Sequence, residues 1–185
     1  INAPLEEVTA RVAHKIRELK PQVVLTFDPI GGYRHPDHIH IQQAATQAFH
    51  LAGDVAYKSD LPPYQTQKLY YHTISKRFLR VATRLLRLFG KDPSRWGRNE
   101  DIDLTQLIVD FPIHTKINYR KVSKRKNAAS QCHASQIGPA ITGGAFRWLF
   151  RLLGVGDVDL FMQASPTPGA SMSGDLFDEI TFDGN

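Results

Sequence analysis

The sequence has one cysteine, Cys132, so it can form no internal disulfide and no cysteine-built metal cage, and it fits a reducing compartment. Nowhere does an apolar run reach the roughly 20 residues that a membrane-spanning helix needs. No signal-peptide pattern is visible, though a missing amino terminus would hide one, and no internal repeat is visible. These absences make the cytoplasm the expected location. What is present is ordinary globular composition: 185 residues, 42% hydrophobic and 22% charged, with a formal charge of +5 that suits an anionic ligand or partner without requiring one.

The most informative stretch runs from Phe27 to His38. Val23, Val24, Leu25, Thr26 and Phe27 are β-branched and apolar, as expected of a short buried strand, and Asp28-Pro29 followed by Gly31-Gly32 ends it with turn chemistry. Pro36 then suits the first position of a helix, and Ile41, Ala44, Ala45, Ala48 and Phe49 continue at helical spacing. In open α/β sheets ligands bind outside the carboxyl ends of strands, where this loop would put Tyr33, His35, Asp37 and His38. His35 and His38 are three residues apart at a helix start and can emerge on one side, whereas His40 faces another. A bare HxxH pair fits polar helix capping more often than a metal or catalytic site.

The whole string goes further. Thr26-Phe27-Asp28 followed by Gly31-Gly32-Tyr33-Arg34-His35-Pro36-Asp37-His38 resembles the second signature of the LmbE/PIG-L family of zinc-dependent N-acetylglucosaminyl deacetylases. The lead-in from Ile16 to Thr26, and the segments around Lys68–His72, Arg98–Asp103 and Lys126–Gln136, are similar to the mycothiol/bacillithiol-type branch. The resemblance implies an α/β fold: a Rossmann-like, mostly parallel sheet with flanking helices. It implies a metal-dependent hydrolase that removes acetyl from an N-acetylated amino-sugar conjugate. His38 would be a ligand of a single Zn²⁺. His35 would stabilise the oxyanion, with Asp37 orienting it and keeping it protonated. Tyr33 would act at the acetyl group, and Tyr33, Arg34 and Gln136 would contact substrate. The family's first signature, Ala-His-Pro-Asp-Asp-Glu, which supplies the other metal ligands and the general base, occurs nowhere in this sequence. The expectation is therefore the carboxyl-terminal part of a longer deacetylase, its amino-terminal strand or strands and remaining zinc ligands lying in a missing segment, and this part alone inactive. A degenerate family member binding sugar or anion without catalysis is the alternative.

Around that centre, residues 3 to 20 read as a helix capped by Asn2, with a stripe of Leu5, Val8, Val12, Ile16 and Leu19 and a stop at Lys20-Pro21. Residues 53 to 67 read as an exposed loop, 68 to 73 as a strand, and 158 to 162 as another. The basic stretch from 76 to 98 reads as a helix with a cationic and an apolar face, with Gly90 near its end. A solvated surface is its plainest interpretation. Contact with an anionic ligand, a membrane surface or a neighbouring subunit are the sharper ones, and the shortage of stacking aromatics argues against nucleic acid. Two strand pieces are expected at 107–109 and 111–117, then a helix over 119–134 and a last one over 141–153. The domain is expected to span 1–164, with 165–185 a loosely held tail and homo-oligomers possible.

Overall fold

The computed structural model describes residues 2–97, 100–133, 150, 152–153 and 156–182. In chain order the elements are α1 (Leu5–Leu19), β1 (Val23–Phe27), α2 (Gly31–Arg34), α3 (Pro36–Gly53), β2 (Lys68–Thr73), α4 (Lys76–Leu88), β3 (Thr115–Asn118), a 3₁₀ turn (Arg120–Val122), α5 (Ser123–Gln131) and β4 (Val158–Ser165). The chain forms two compact units. The first comprises Ile1–Thr73, Pro112–Lys116 and Phe161–Asn185, and the second Ile74–Phe111 and Ile117–Leu160. This is an α/β fold with a four-stranded mixed sheet, ordered β1-β2-β4-β3.

In the first unit β1 and β2 pair in parallel, Val23 opposite Lys68 and Phe27 opposite His72. A parallel pair requires a crossover, and α3 supplies it. β1 is an edge strand. Leu25 is accordingly 50% exposed, where the apolar run alone suggests a buried strand.

α1 lies against α3 on a face rotated from the predicted stripe, of which Ile16 is buried, Val12 borders the contact and Leu19 is exposed. The buried positions are Thr9, Ala13, Ile16 and Arg17, and Leu19 is 71% exposed. The facing surface of α3 explains the rotation. Ala48 and Ala52 present no bulk there, so Ala13 and Ile16 seat against them, with Val12, Val24, Leu51, Tyr57 and Tyr64 around the cluster. Close backbone approach turns the small residues inward. Pro4, not Asn2, occupies the N-cap position, and Lys20 ends the helix in a left-handed conformation with its N–H on the Ile16 carbonyl.

Arg17 is 2% exposed and has no carboxylate partner among the described residues. Its guanidinium instead donates to the carbonyls of Leu51, Ala52, Asp54, Tyr57 and Leu61, satisfying the end of α3 and the loop beyond it. The residues after β4 are hydrogen-bonded as well. Buried Lys68 donates to the Asp178 carbonyl, Thr181 N–H donates to the Gln67 side chain, and Ser173 pairs with Thr115.

In the second unit Ser75 caps α4 by accepting the Phe78 N–H, and Gly90 takes a positive φ of 67° just past its end. Leu79 and Ala82 are buried, and Ala82 packs with Phe150, Phe78, Val81 and Leu85. The expected strand pieces at 107–109 and 111–114 are irregular, because Pro112 cannot donate to a ladder, and regular pairing begins only at Thr115. The expected helix over 119–134 is a 3₁₀ turn followed by α5, which ends at Gln131. The predicted helix over 141–153 falls almost wholly outside the described residues.

Candidate active site

At the carboxyl end of β1 the chain must turn sharply and re-enter as α3. Asp28, 1% exposed, organises that turn: its Oδ1 accepts the N–H groups of Ile30 at 3.2 Å and Gly32 at 2.8 Å, while its own carbonyl accepts the Gly31 N–H at 2.8 Å. Burial pushes the Asp28 carboxyl above its ordinary value, and those two N–H groups and the nearby His72 pull the other way.

Gly31 and Gly32 take φ of 67° and 70°. Gly31 has a second constraint. A Cβ there would stand 2.9 Å from both Cγ1 and the backbone N of Ile39 and 3.0 Å from the His38 Cβ, so the turn is pressed directly onto the start of α3. Arg34 also adopts a left-handed conformation, φ 64°, which costs a non-glycine residue about 1–2 kcal/mol. Strain of this kind accumulates where a loop is held for a purpose.

The turn gathers four rings. His38 stacks on Phe27 with centroids 3.9 Å apart and planes 9° from parallel. Tyr33 meets His38 edge-on at 4.8 Å and His35 at 5.6 Å, and the two imidazoles lie 5.1 Å apart. His38 Nδ1 lies 3.2 Å from the Gly31 carbonyl, a contact that fixes the Nδ1–H tautomer and leaves Nε2 as the ring's lone-pair donor. That is the arrangement of a metal-ligating imidazole. Among the described residues, however, no group of three His, Cys, Asp or Glu side chains is placed to hold a metal.

His35 is the N-cap of α3, with Pro36 at the next position as its sequence suggests. The His35 Nδ1 accepts the Asp37 backbone N–H at 3.2 Å. Asp37 thus meets His35 through its main-chain N–H, and its carboxylate interacts electrostatically with both His35 and His38. Of the predicted site residues, Tyr33, His35 and His38 are brought together; Asp37 stands in the first turn of α3; Arg34 is exposed on the strained turn; Gln136 lies outside the described residues. His40 is not part of the ring cluster, and its buried Nε2 has no hydrogen-bond partner among the described residues.

Two contributors have little signature in sequence. Asp28 acts through backbone N–H groups two and four residues on, a turn role that Asp-Pro only hints at. His72 ends β2 opposite Phe27, with its ring 5.3 Å from Phe161 and its charge acting on Asp28. A strand-end histidine is ordinary in sequence; the register of the parallel pair brings it to this end of the sheet.

A cleft of about 580 Å³ between α1 and the loop after α3 shares no residue with this cluster. Of its cations, Arg11 pairs with Glu7, Lys15 with Glu18 and His14 lies beside Asp60, while Lys58 is exposed, so the cleft is solvated surface.

Residues 1–49 match the family model described as PIG-L, GlcNAc-PI de-N-acetylase. Among the similar proteins are 1D-myo-inositol 2-acetamido-2-deoxy-alpha-D-glucopyranoside deacetylases from Geodermatophilus obscurus, 34% identical over 74% of this chain and 47% of that protein, and Rhodococcus erythropolis, 35% identical over 79% and 48%. The chain thus spans about half the length of the curated relatives it matches. Two solved structures share the fold. The 4-carboxy-2-hydroxymuconate hydratase GalB of Pseudomonas putida aligns with TM-score 0.55 at 16% identity over 93% of this chain and 63% of that one. The conserved protein TT1542 of Thermus thermophilus aligns with TM-score 0.54 at 19% identity over 89% and 61%. One of these is a hydratase, so fold alone does not select a reaction here.

Proposed function

We propose, for a chain that belongs to the PIG-L/LmbE family, that it forms part of a metal-dependent hydrolase removing acetyl from an N-acetylglucosaminyl conjugate, with an inositol glycoside as the substrate type. The single observation that carries this reading is the ring cluster of Phe27, Tyr33, His35 and His38, held by Asp28 and the pressed Gly31 turn at the carboxyl end of β1.

In this reading His38 Nε2 holds the metal, a zinc ion, whose other ligands lie outside this chain. The metal supplies an activated water and polarises the amide carbonyl. This chain's own groups do the rest. Phe27 stacking and the Gly31 carbonyl fix the His38 ring in plane and tautomer before any ligand arrives, so little ordering remains to be done on binding. His35 faces the carbonyl oxygen of the acetyl group as it gains negative charge. With Nδ1 accepting the Asp37 N–H as the helix cap, Nε2 is the His35 nitrogen left to donate to the oxyanion. Tyr33, edge-on to both imidazoles, borders the acetyl group, and Arg34 projects toward the sugar.

The test uses the product of the native gene. Its intact mass and zinc content are measured together with release of free amine from N-acetylglucosaminyl-inositol. The reading expects about one zinc per complete site, and loss of both zinc and amine release in His38→Ala. If the wild-type product binds the glycoside but releases no amine, the sugar-binding alternative replaces the enzyme.

A further inference from the structure

We infer that the exposed face of α4 docks on a surface of anionic phospholipid. The proposal stands apart from the deacetylase reading and concerns the second unit alone.

Arg77, Arg80, Arg84 and Arg87 recur at i, i+3, i+7 and i+10, which places them in one row along α4, about 15 Å from end to end. All are exposed, and none makes an ion pair among the described residues. Of the acidic residues of this unit, Asp110 pairs with Lys76, Glu100 with Arg95 and Asp159 with Lys126, Asp92 and Asp103 are hydrogen-bonded to Ser94 and Thr105, and among the described residues no carboxylate forms an ion pair with the row. The opposite side of α4 is committed to its own core, with Leu79 and Ala82 buried and Phe78, Val81 and Leu85 packed around Phe150. The helix is therefore fixed with its guanidinium row outward.

Such a row fits phosphate, which arginine binds in bidentate fashion. What selects a lipid surface is the end of the helix. Leu88 is 77% exposed and Phe89 58% exposed, the first flanking the arginine row and the second just past it. Beside guanidinium groups on headgroup phosphates, these two side chains would enter the boundary with the acyl chains. Along the row itself no aromatic side chain is interleaved, which disfavours a nucleic acid that would be held by base stacking. No described helix is long and apolar enough to cross a membrane, so the contact is peripheral.

Co-sedimentation with vesicles tests this on the full chain. Vesicles of phosphatidylcholine mixed with phosphatidylglycerol are expected to pellet the protein, and vesicles of phosphatidylcholine alone are not. Each arginine near the surface contributes about fivefold in affinity at moderate salt, so R80Q/R84Q/R87Q should bind on the order of 100-fold more weakly. R80K/R84K/R87K keeps the charge and should retain most of the binding. L88Q/F89Q should lose about tenfold or more while keeping its salt dependence. Urea midpoints equal to the parent's would show that the variants fold. Equal pelleting by the two vesicle types, or parental binding by R80Q/R84Q/R87Q, overturns the proposal. It is equally overturned if L88Q/F89Q binds vesicles as the parent does while duplex DNA displaces them, for the row is then a nucleic-acid site.

Discussion

Replacing Gly31 by alanine tests directly whether the turn after β1 is held by crowding or only by glycine's backbone freedom. Gly31 and Gly32 provide an internal control, because their φ angles are nearly equal at 67° and 70°. At Gly32 an added Cβ meets only Phe27 Cδ1, at 3.8 Å, an ordinary contact. The G32A cost is then the left-handed backbone alone, about 1–2 kcal/mol. At Gly31 the same backbone term applies, and the added Cβ also stands 2.9 Å from the backbone N of Ile39. That atom belongs to the first turns of α3 and cannot give way without moving the helix start. Overpacking of this kind adds about 1–3 kcal/mol. With a urea m-value of about 2 kcal/mol/M, G31A should lower the midpoint by roughly 1–2.5 M and G32A by no more than about 1 M. Because the same Cβ would reach to 3.0 Å of His38 Cβ, G31A should also shift the His38 imidazole resonances, which ring stacking on Phe27 sets in the parent. G32A should leave them in place. If G31A is no less stable than G32A, the turn relaxes freely and crowding does not position His38.

Arg17→Met keeps much of the stem but abandons five carbonyls, one buried and four part-buried, and thermal unfolding should show a loss of about 3 kcal/mol. Asp28→Asn keeps an oxygen for the Ile30 and Gly32 N–H groups while removing the titration. The Asp28 folded value lies above the ordinary 3.8, so this group's stability contribution is complete below pH 3.8 and is lost as pH rises through the folded value. The parent-minus-D28N stability, from urea melts at successive pH values, should therefore fall upward from that point, and a rising difference would contradict the assignment. Lys68→Met removes the donor to the Asp178 carbonyl and should speed proteolysis within residues 173–182 while leaving the β1–β2 pair protected in hydrogen exchange.

The strand, turn and helix around the site were legible because each boundary has a residue with one strong backbone preference: two glycines at positive φ and Pro36 at the helix start. Spacing also brought His35 and His38 together. The rest depended on partners distant in the chain. The face of α1 could be read from its own apolar residues only in part, through Ile16 and Val12, because the alanines of α3 decide which side comes close. Leu25 is exposed because β1 is at the edge, a property of strand order rather than of Val-Val-Leu-Thr-Phe. Asp28 resembled a turn former, and only its burial and its contacts with Ile30 and Gly32 show that it fastens the turn. His35 illustrates a different limit. The motif names the residue, but the geometry of its Nδ1 determines which nitrogen is left to donate.

The guanidinium of Arg17 has a kinetic consequence. Until α1 seats, the Leu51, Ala52 and Asp54 carbonyls accept only the backbone N–H groups of Asp54, Tyr64 and Tyr57; afterwards a single side chain from another helix adds a donor to each of these and to the Tyr57 and Leu61 carbonyls. The last turn of α3, capped locally by the Asp54 N–H on the Leu51 carbonyl, is thus tied to α1 as well, and fraying there breaks contacts to both. Amide protons of α1, the end of α3 and the following loop should exchange through one shared opening. The earliest helix and the crossover it precedes then form one folding unit, and the turn carrying His38 is mounted at the other end of that same α3.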